Sequence, residues 1–297
     1  MFPDVIGIDS RYRKNRYAYI IEVKVIQTFL IIGAGWLGLP LALALKAQGH
    51  RVKVTTTQSQ KQAQYHSQGL LSSVLKLDDD TDVSDVQKIM DVDCVIGAFP
   101  PGFRKPNSGL YARKWQLIID AAENAGVKQV LMFSSTAVYP ETAGLMHEAS
   151  AASHNEKSTL LLAAEAAVQG FSKRSAIIRL GGLFGPQRHP ARFIQHIKTI
   201  SEKAPANMIH LDDVIAATLF VLTLDKSQDD NLVVNFTYPY LMYKTEFYRL
   251  ALEHYTESDF DFPPINHIEG KQVSADRLLA LGYQFKFNSF AQALSES

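Results

Sequence analysis

Six residues, Gly33-Ala34-Gly35-Trp36-Leu37-Gly38, carry the clearest chemical signal in the chain. An apolar run at 28–32 enters this G-x-G-x-x-G, and the apolar segment 39–45 leaves it. That is the order of a strand, a phosphate loop and a helix N-terminus. Gly33 suits the sharp turn, Gly35 lets backbone approach a pyrophosphate, and Gly38 lets helix and strand pack closely. The N–H groups of the first helical turn and the helix dipole favour an anion there. The loop, with Trp36 and Leu37, is therefore read as a dinucleotide site, against the plainer reading of a glycine-rich turn with no ligand.

Other residues refine that reading. A carboxylate at the end of the second strand would select NAD through the ribose hydroxyls. The chain instead has Thr55-Thr56-Thr57-Gln58, with Lys61 just beyond. This points to NADP over NAD, with Thr57 as a contact, or simply to a polar strand end. Ala98, Phe99 and Pro100 begin a loop that continues into Pro101 and Gly102, where the cofactor's ribose and pyrophosphate would pass. Its prolines stiffen the loop and remove backbone donors. Farther on, Arg188, His189 and Arg192 form a basic group. A guanidinium fork suits phosphate or carboxylate oxygens, so these residues are candidates for an anionic substrate or an ordinary solvated turn. His189 and His196 lie seven apart with no cysteine or carboxylate to complete a cluster, and no metal site is expected.

The elements that must position these groups alternate along the chain. After the glycine loop, a helix at 38–48 stops at Gly49. Strands are expected at 51–56, 73–77, 93–98, 128–134 and 175–179, with helices at 110–125 and 157–169. The last third is less regular, with helices at 211–224 and 243–255 around a strand at 231–236. Such alternation predicts an α/β Rossmann fold, a doubly wound parallel sheet with helices on both faces. The expected division is an N-terminal extension (1–25), an NAD(P)-binding domain (26–180) and a small discontinuous substrate cap within 181–297. Helix 211–224 and strand 231–236 of that last region should return to the core. Ligands bind such sheets beyond the carboxyl ends of the strands.

At those strand ends the chain resembles a known family. Residues 133–140 (FSSTAVYP) resemble the S-S-x-x-V-Y-G segment of extended short-chain dehydrogenases, the nucleotide-sugar epimerases and dehydratases. Residues 177–186 (IIRLGGLFGP) resemble their R-x-x-x-x-Y-G-P turn, and 207–214 (NMIHLDDV) their N-x-I-H-x-D-D-V segment. The tail 273–283 (VSADRLLALGY) resembles the family's closing segment. The resemblance implies that Ser135 is the hydroxyl that assists at the substrate oxygen and that Ser134 lies against the cofactor. It also implies that Asp78 or Asp79 is the acid that meets the adenine amino group, with an acidic loop tip as the alternative.

The departure from the family is equally informative. Its members use Tyr-x-x-x-Lys on the helix after the fifth strand. Here Leu162-Ala163-Ala164-Glu165 matches the family's L-A-A-E, which puts Lys157 at the tyrosine position and Leu161 at the lysine position. The chain thus resembles an atypical, epimerase/dehydratase-like branch that has lost the pair, and the usual proton relay cannot run. Tyr139, His147, His154 and Lys157 are the available substitutes.

Composition sets the outer bounds. The chain has 297 residues, 46% of them hydrophobic, enough for a sizeable core, and 30 basic residues balance 30 acidic ones. That balance predicts a small-molecule substrate rather than nucleic acid or an anionic membrane. The single cysteine, Cys94, lies in an apolar run, implying a reducing, cytoplasmic setting. Residues 1–24 mix Arg11, Arg13, Lys14 and Arg16 with Asp4 and Asp9 and lack a signal-peptide pattern. Two functions remain: an NAD(P)-dependent oxidoreductase or epimerase, and a non-catalytic NAD(P)-binding sensor or regulator. The oligomeric state is left open.

Overall fold

Seven strands form one parallel sheet: β1 (Thr28–Ile32), β2 (Arg51–Thr56), β3 (Leu71–Val74), β4 (Cys94–Gly97), β5 (Gln129–Ser135), β6 (Arg174–Leu180) and β7 (Asn231–Phe236). Their order in space is β7-β6-β5-β4-β1-β2-β3. The computed structural model describes residues 27–103, 109–224, 230–255 and 261–297. The expected N-terminal extension, 1–25, lies outside them.

The sheet is buried on both faces because its strands are apolar at successive positions. In β1, Phe29 and Ile31 face one core with Leu41, Val54, Phe133 and Val214. Leu30 and Ile32 face the other with Trp115, Met132 and Leu161. Helices α1 (Gly38–Ala47), α4 (Tyr111–Ala125), α5 (Glu156–Gln169) and α6 (Leu211–Thr223) cover these faces. Gly126, in the left-handed region at φ 73°, ends α4. Shorter helices are α2 (Lys61–Ser67) and α3 (Val83–Gln87), and α7 (Lys244–Glu253), α8 (Asp276–Ala280) and α9 (Phe290–Ser295) complete the set.

The third strand corrects the expectation. It forms at Leu71–Val74 rather than 73–77. It is the sheet edge, where Leu71 and Val74 are exposed. The pair Leu75 and Leu77, which made the later register attractive, follows the strand and lines a cavity beside β2.

Short parallel pairs fasten the remaining chain across the strand ends. Lys271–Val273 pairs with Gly144–Met146, Met208–His210 with Gly182–Phe184, and Ile265–Asn266 with Ile200–Ser201. Thus segments distant in sequence meet beyond β5 and β6. The strand order reverses at β1, whose neighbours are β2 and β4, so a crevice opens at the carboxyl end of β1.

Candidate active site

The glycine loop sits at that crevice. Gly33 has φ 101°, and a Cβ there would lie 3.0 Å from the Ala98 carbonyl oxygen. A Cβ on Gly38 would overlap the Gly33 carbonyl. Both glycines are thus required by close backbone approach. Gly35 differs, since a Cβ there would meet nothing within 4 Å. The space in front of Gly35 is open. At the start of α1 no side chain caps the N-terminus, and the first turn holds no acid. Exposed backbone donors with no competing carboxylate are what a dinucleotide pyrophosphate requires, so these residues fit the cofactor the sequence implies.

One cavity adjoins this loop, and a second lies beyond β5 and β6. The smaller, about 230 Å³, is lined by Gly33, Thr55, Thr56, Thr57, Phe99, Pro100 and Lys114, among others. Phe99 is held by stacking on Trp115, with ring centres 5.2 Å apart. Trp115 packs so closely beneath β4 that a Cβ on Gly97 would overlap its indole. Asp78 does not line this cavity. Its carboxylate accepts the Thr81 hydroxyl at 2.8 Å, within its own loop.

The larger cavity, about 570 Å³, opens beyond β5 and β6. Ser135, Thr136, Gly181, Asn207, Lys244, Tyr248 and Lys271 are among its walls. The Ser135 oxygen accepts the Ala137 N–H at 3.1 Å, which leaves the hydroxyl proton free to donate. The Lys271 ammonium donates to Thr136 O at 2.9 Å, Tyr139 O at 2.8 Å and Glu141 Oε1 at 2.8 Å. It thereby fixes the segment just after Ser135. Asn207 donates to Lys271 O and accepts from Val273 N–H, holding the opposite wall. Burial pushes the Tyr248 phenol up from its ordinary value, so it stays protonated.

Several residues with chemical potential prove to hold the frame. Ser134 is buried and donates to Glu165 Oε1 at 2.5 Å, so its hydroxyl faces the interior rather than a cofactor. Glu165 also pairs with Arg179, Nη2 to Oε2 at 2.7 Å, both side chains being 5% exposed or less. Arg179 then donates to the Tyr139 hydroxyl at 3.0 Å, and that hydroxyl donates to Asn235 Oδ1 at 2.6 Å. Tyr139 is fully buried in this network, which removes it as a substitute acid. His210 caps α6 by accepting the Asp212 N–H at 3.1 Å. Asp213 accepts from the hydroxyls of Tyr238 and Tyr283 and from Lys286 N–H.

The basic turn after β6 also departs from expectation. Arg188, His189 and Arg192 do not line the larger cavity. His189 is buried, stacked on Tyr255 at 4.9 Å, and its Nδ1 accepts the Ala191 N–H. Arg192 reaches back to the Gln187 carbonyl at 3.3 Å. Arg188 lies over the Trp36 ring.

No replacement pair is rebuilt on α5. Lys157 is exposed, 5.8 Å from the Phe103 ring centre, and Leu161 is buried in the core. His147 serves in a capping arrangement with Ser150, and the exposed His154 bonds the Ala152 carbonyl. Neither histidine lines either of these two cavities. Reasoning from sequence missed the polar groups from the last third, namely Lys244, Tyr248 and Lys271. The Lys-x-x-x-Tyr spacing on α7 was a usable signal, since residues four apart share a helix face. Among the described residues there is no cluster suited to a metal ion, and no helix is long and apolar enough to cross a membrane.

A parallel sheet in this order, with a glycine loop at its switch point, defines a Rossmann fold. The chain belongs to the NAD(P)H-binding family, whose profile matches residues 33–223. It is 30% identical to protein YeeZ of Escherichia coli K12 over 200 residues, which are 66% of this chain and 73% of YeeZ. Among solved structures, WbmH of Bordetella bronchiseptica in complex with NAD+ superposes with a TM-score of 0.75 at 14% identity, covering 92% of this chain and 97% of WbmH. The UDP-glucuronic acid 4-epimerase of Bacillus cereus, in complex with UDP-glucuronic acid and NAD, gives 0.69 at 16% identity, covering 91% and 97%. At these identities the structural likeness is one of fold.

Proposed function

We propose that the chain is an NAD(P)-dependent oxidoreductase or epimerase that acts on a small or nucleotide-linked substrate in the larger cavity. The observation that carries this reading is the pair of cavities. One adjoins Gly33 and suits the adenosine half of a dinucleotide, while the other adjoins Ser135 and has room for a substrate. The residues 181–212 and 237–297 then act as the substrate cap. When bound, the nicotinamide supplies or accepts hydride. The chain's own part is to seat the pyrophosphate on Gly35 and the N-terminus of α1, and to offer the Ser135 proton to a substrate oxygen. Lys244 lines the substrate cavity and has no carboxylate partner among the described residues, so an anionic group on the substrate would find a cation there. The smaller cavity has Lys114 and no carboxylate in its lining, which supports room for a 2′-phosphate and hence NADP.

A second reading, a non-catalytic NAD(P)-binding sensor, is favoured by exposed Lys157 and buried Leu161 where the relay pair belongs. A hydride-transfer assay over nucleotide sugars and simple carbonyl compounds separates the two. Turnover supports the enzyme. Cofactor binding with no turnover on any of them supports the sensor.

A further inference from the structure

The turn after β6 reaches back to the glycine loop. Gly185 and Arg188 close a four-residue turn, the Arg188 N–H donating to the Gly185 carbonyl at 2.9 Å. Pro186 occupies the second position, and Gln187 the third with φ 64°. That is the type II pattern, whose third position ordinarily takes glycine. Gln187 is the one non-glycine residue with positive φ among the described residues. A side chain held in this sparsely populated region marks a turn fixed by its surroundings.

Those surroundings are the phosphate loop. The Trp36 indole Nε1–H donates to the Pro186 carbonyl at 2.8 Å, a bond between residues 150 apart in sequence. The Arg188 guanidinium carbon lies 5.2 Å from the Trp36 ring centre and 5.8 Å from that of Phe193. Arg188 is thus steered by two aromatic faces, yet its guanidinium has no carboxylate or carbonyl acceptor among the described residues. Partial desolvation lowers its pKa from the ordinary guanidinium value, but the group remains charged. Trp36 immediately follows Gly35, the glycine that faces open space. A steered cation without an acceptor therefore stands beside the one open backbone approach in the loop.

We propose that Arg188 and Trp36 form a clasp over the dinucleotide pyrophosphate. Trp36 ties the turn after β6 to the glycine loop, and Arg188 supplies a charge-assisted hydrogen bond to a phosphate oxygen. Arg188 then serves the cofactor, not the substrate, and slows cofactor release. This rests on the dinucleotide reading of the loop, and the test keeps the two apart.

The experiment measures the dissociation constant and release rate of NADH and NADPH by fluorescence, with no substrate present. The full chain is compared with Arg188→Gln, Arg188→Lys and Trp36→Phe. Arg188→Gln should weaken both cofactors by roughly ten- to a hundred-fold, the range of a hydrogen bond to a charged group, mostly through faster release. Arg188→Lys should fall between, because a point charge lacks the planar fork and the stacking. Trp36→Phe keeps a ring but loses the bond to Pro186, and should also speed release. Circular dichroism and thermal unfolding of the two Arg188 variants should match the unmodified chain, since Arg188 is exposed. If Arg188→Gln binds both cofactors within twofold of the unmodified chain, the clasp is overturned and the glycine-loop reading stands. If the unmodified chain binds neither cofactor, both fall together.

Discussion

Residues with similar chemistry have been assigned to different tasks by burial. Ser134 and Ser135 are neighbours on β5, yet one hydroxyl is locked to Glu165 and the other faces the larger cavity. Successive strand residues point to opposite sides, so a one-residue difference separates frame from site. Only the second should affect chemistry. If the protein turns over a substrate, Ser135→Ala is expected to lower kcat by about 10²-fold or more while leaving the NADPH dissociation constant nearly unchanged. Steady-state kinetics and a binding titration check this, and turnover indifferent to the change removes Ser135 from the reaction. Tyr139 and Cys94 illustrate the opposite outcome. Both are buried, and desolvation pushes each group up, away from ionisation.

At the scale of elements, β5, β6, β7 and α5 are cross-tied by the Ser134–Glu165–Arg179–Tyr139–Asn235 network. Breaking a buried ion pair from one side leaves an uncompensated charge and costs about 3–5 kcal/mol. Arg179→Met should therefore shift the urea midpoint sharply downward, and adding Glu165→Leu should recover part of the loss. A single variant as stable as the unmodified chain would show that the pair does not hold these elements together. This network explains why the motif order was legible in the sequence while the roles were not. Apolar runs and glycine stops located the loop, six strands and the long helices, because those signals are local. The polar helix α2, with Tyr65 alone buried, has almost no periodic pattern to read. The cavity walls come from 197–208, 244–248 and 266–271, and only tertiary pairing brings them to Ser135. The sequence offered Arg188 only as a candidate for an anionic substrate or as an ordinary solvated turn, and its proximity to Trp36 depends on a contact across 150 residues.

For the whole molecule, acid should be destabilising through groups other than the site. Desolvation lowers the pKa of both His189 and His210 from about 6.5. The unfolded chain therefore takes up protons at these imidazoles before the folded one does. Their contribution to stability is full above about pH 6.5 and is lost as pH falls through the lowered folded values. His210→Asn keeps an acceptor for the Asp212 N–H and removes the titration, so unfolding free energy should depend less steeply on pH below about 6.5. An unchanged slope would contradict this. The whole account depends on a dinucleotide lying across the carboxyl ends of the strands, with its pyrophosphate in the open space before Gly35. The most direct measurement is a titration of NADH and NADPH into the unmodified chain and into Gly35→Val. The account predicts saturable binding by the unmodified chain, NADPH at least as tight as NADH, and loss of both in Gly35→Val, since the valine side chain would fill the pyrophosphate's space, its Cβ meeting no protein atom within 4 Å. Equal affinity in the two proteins would contradict it.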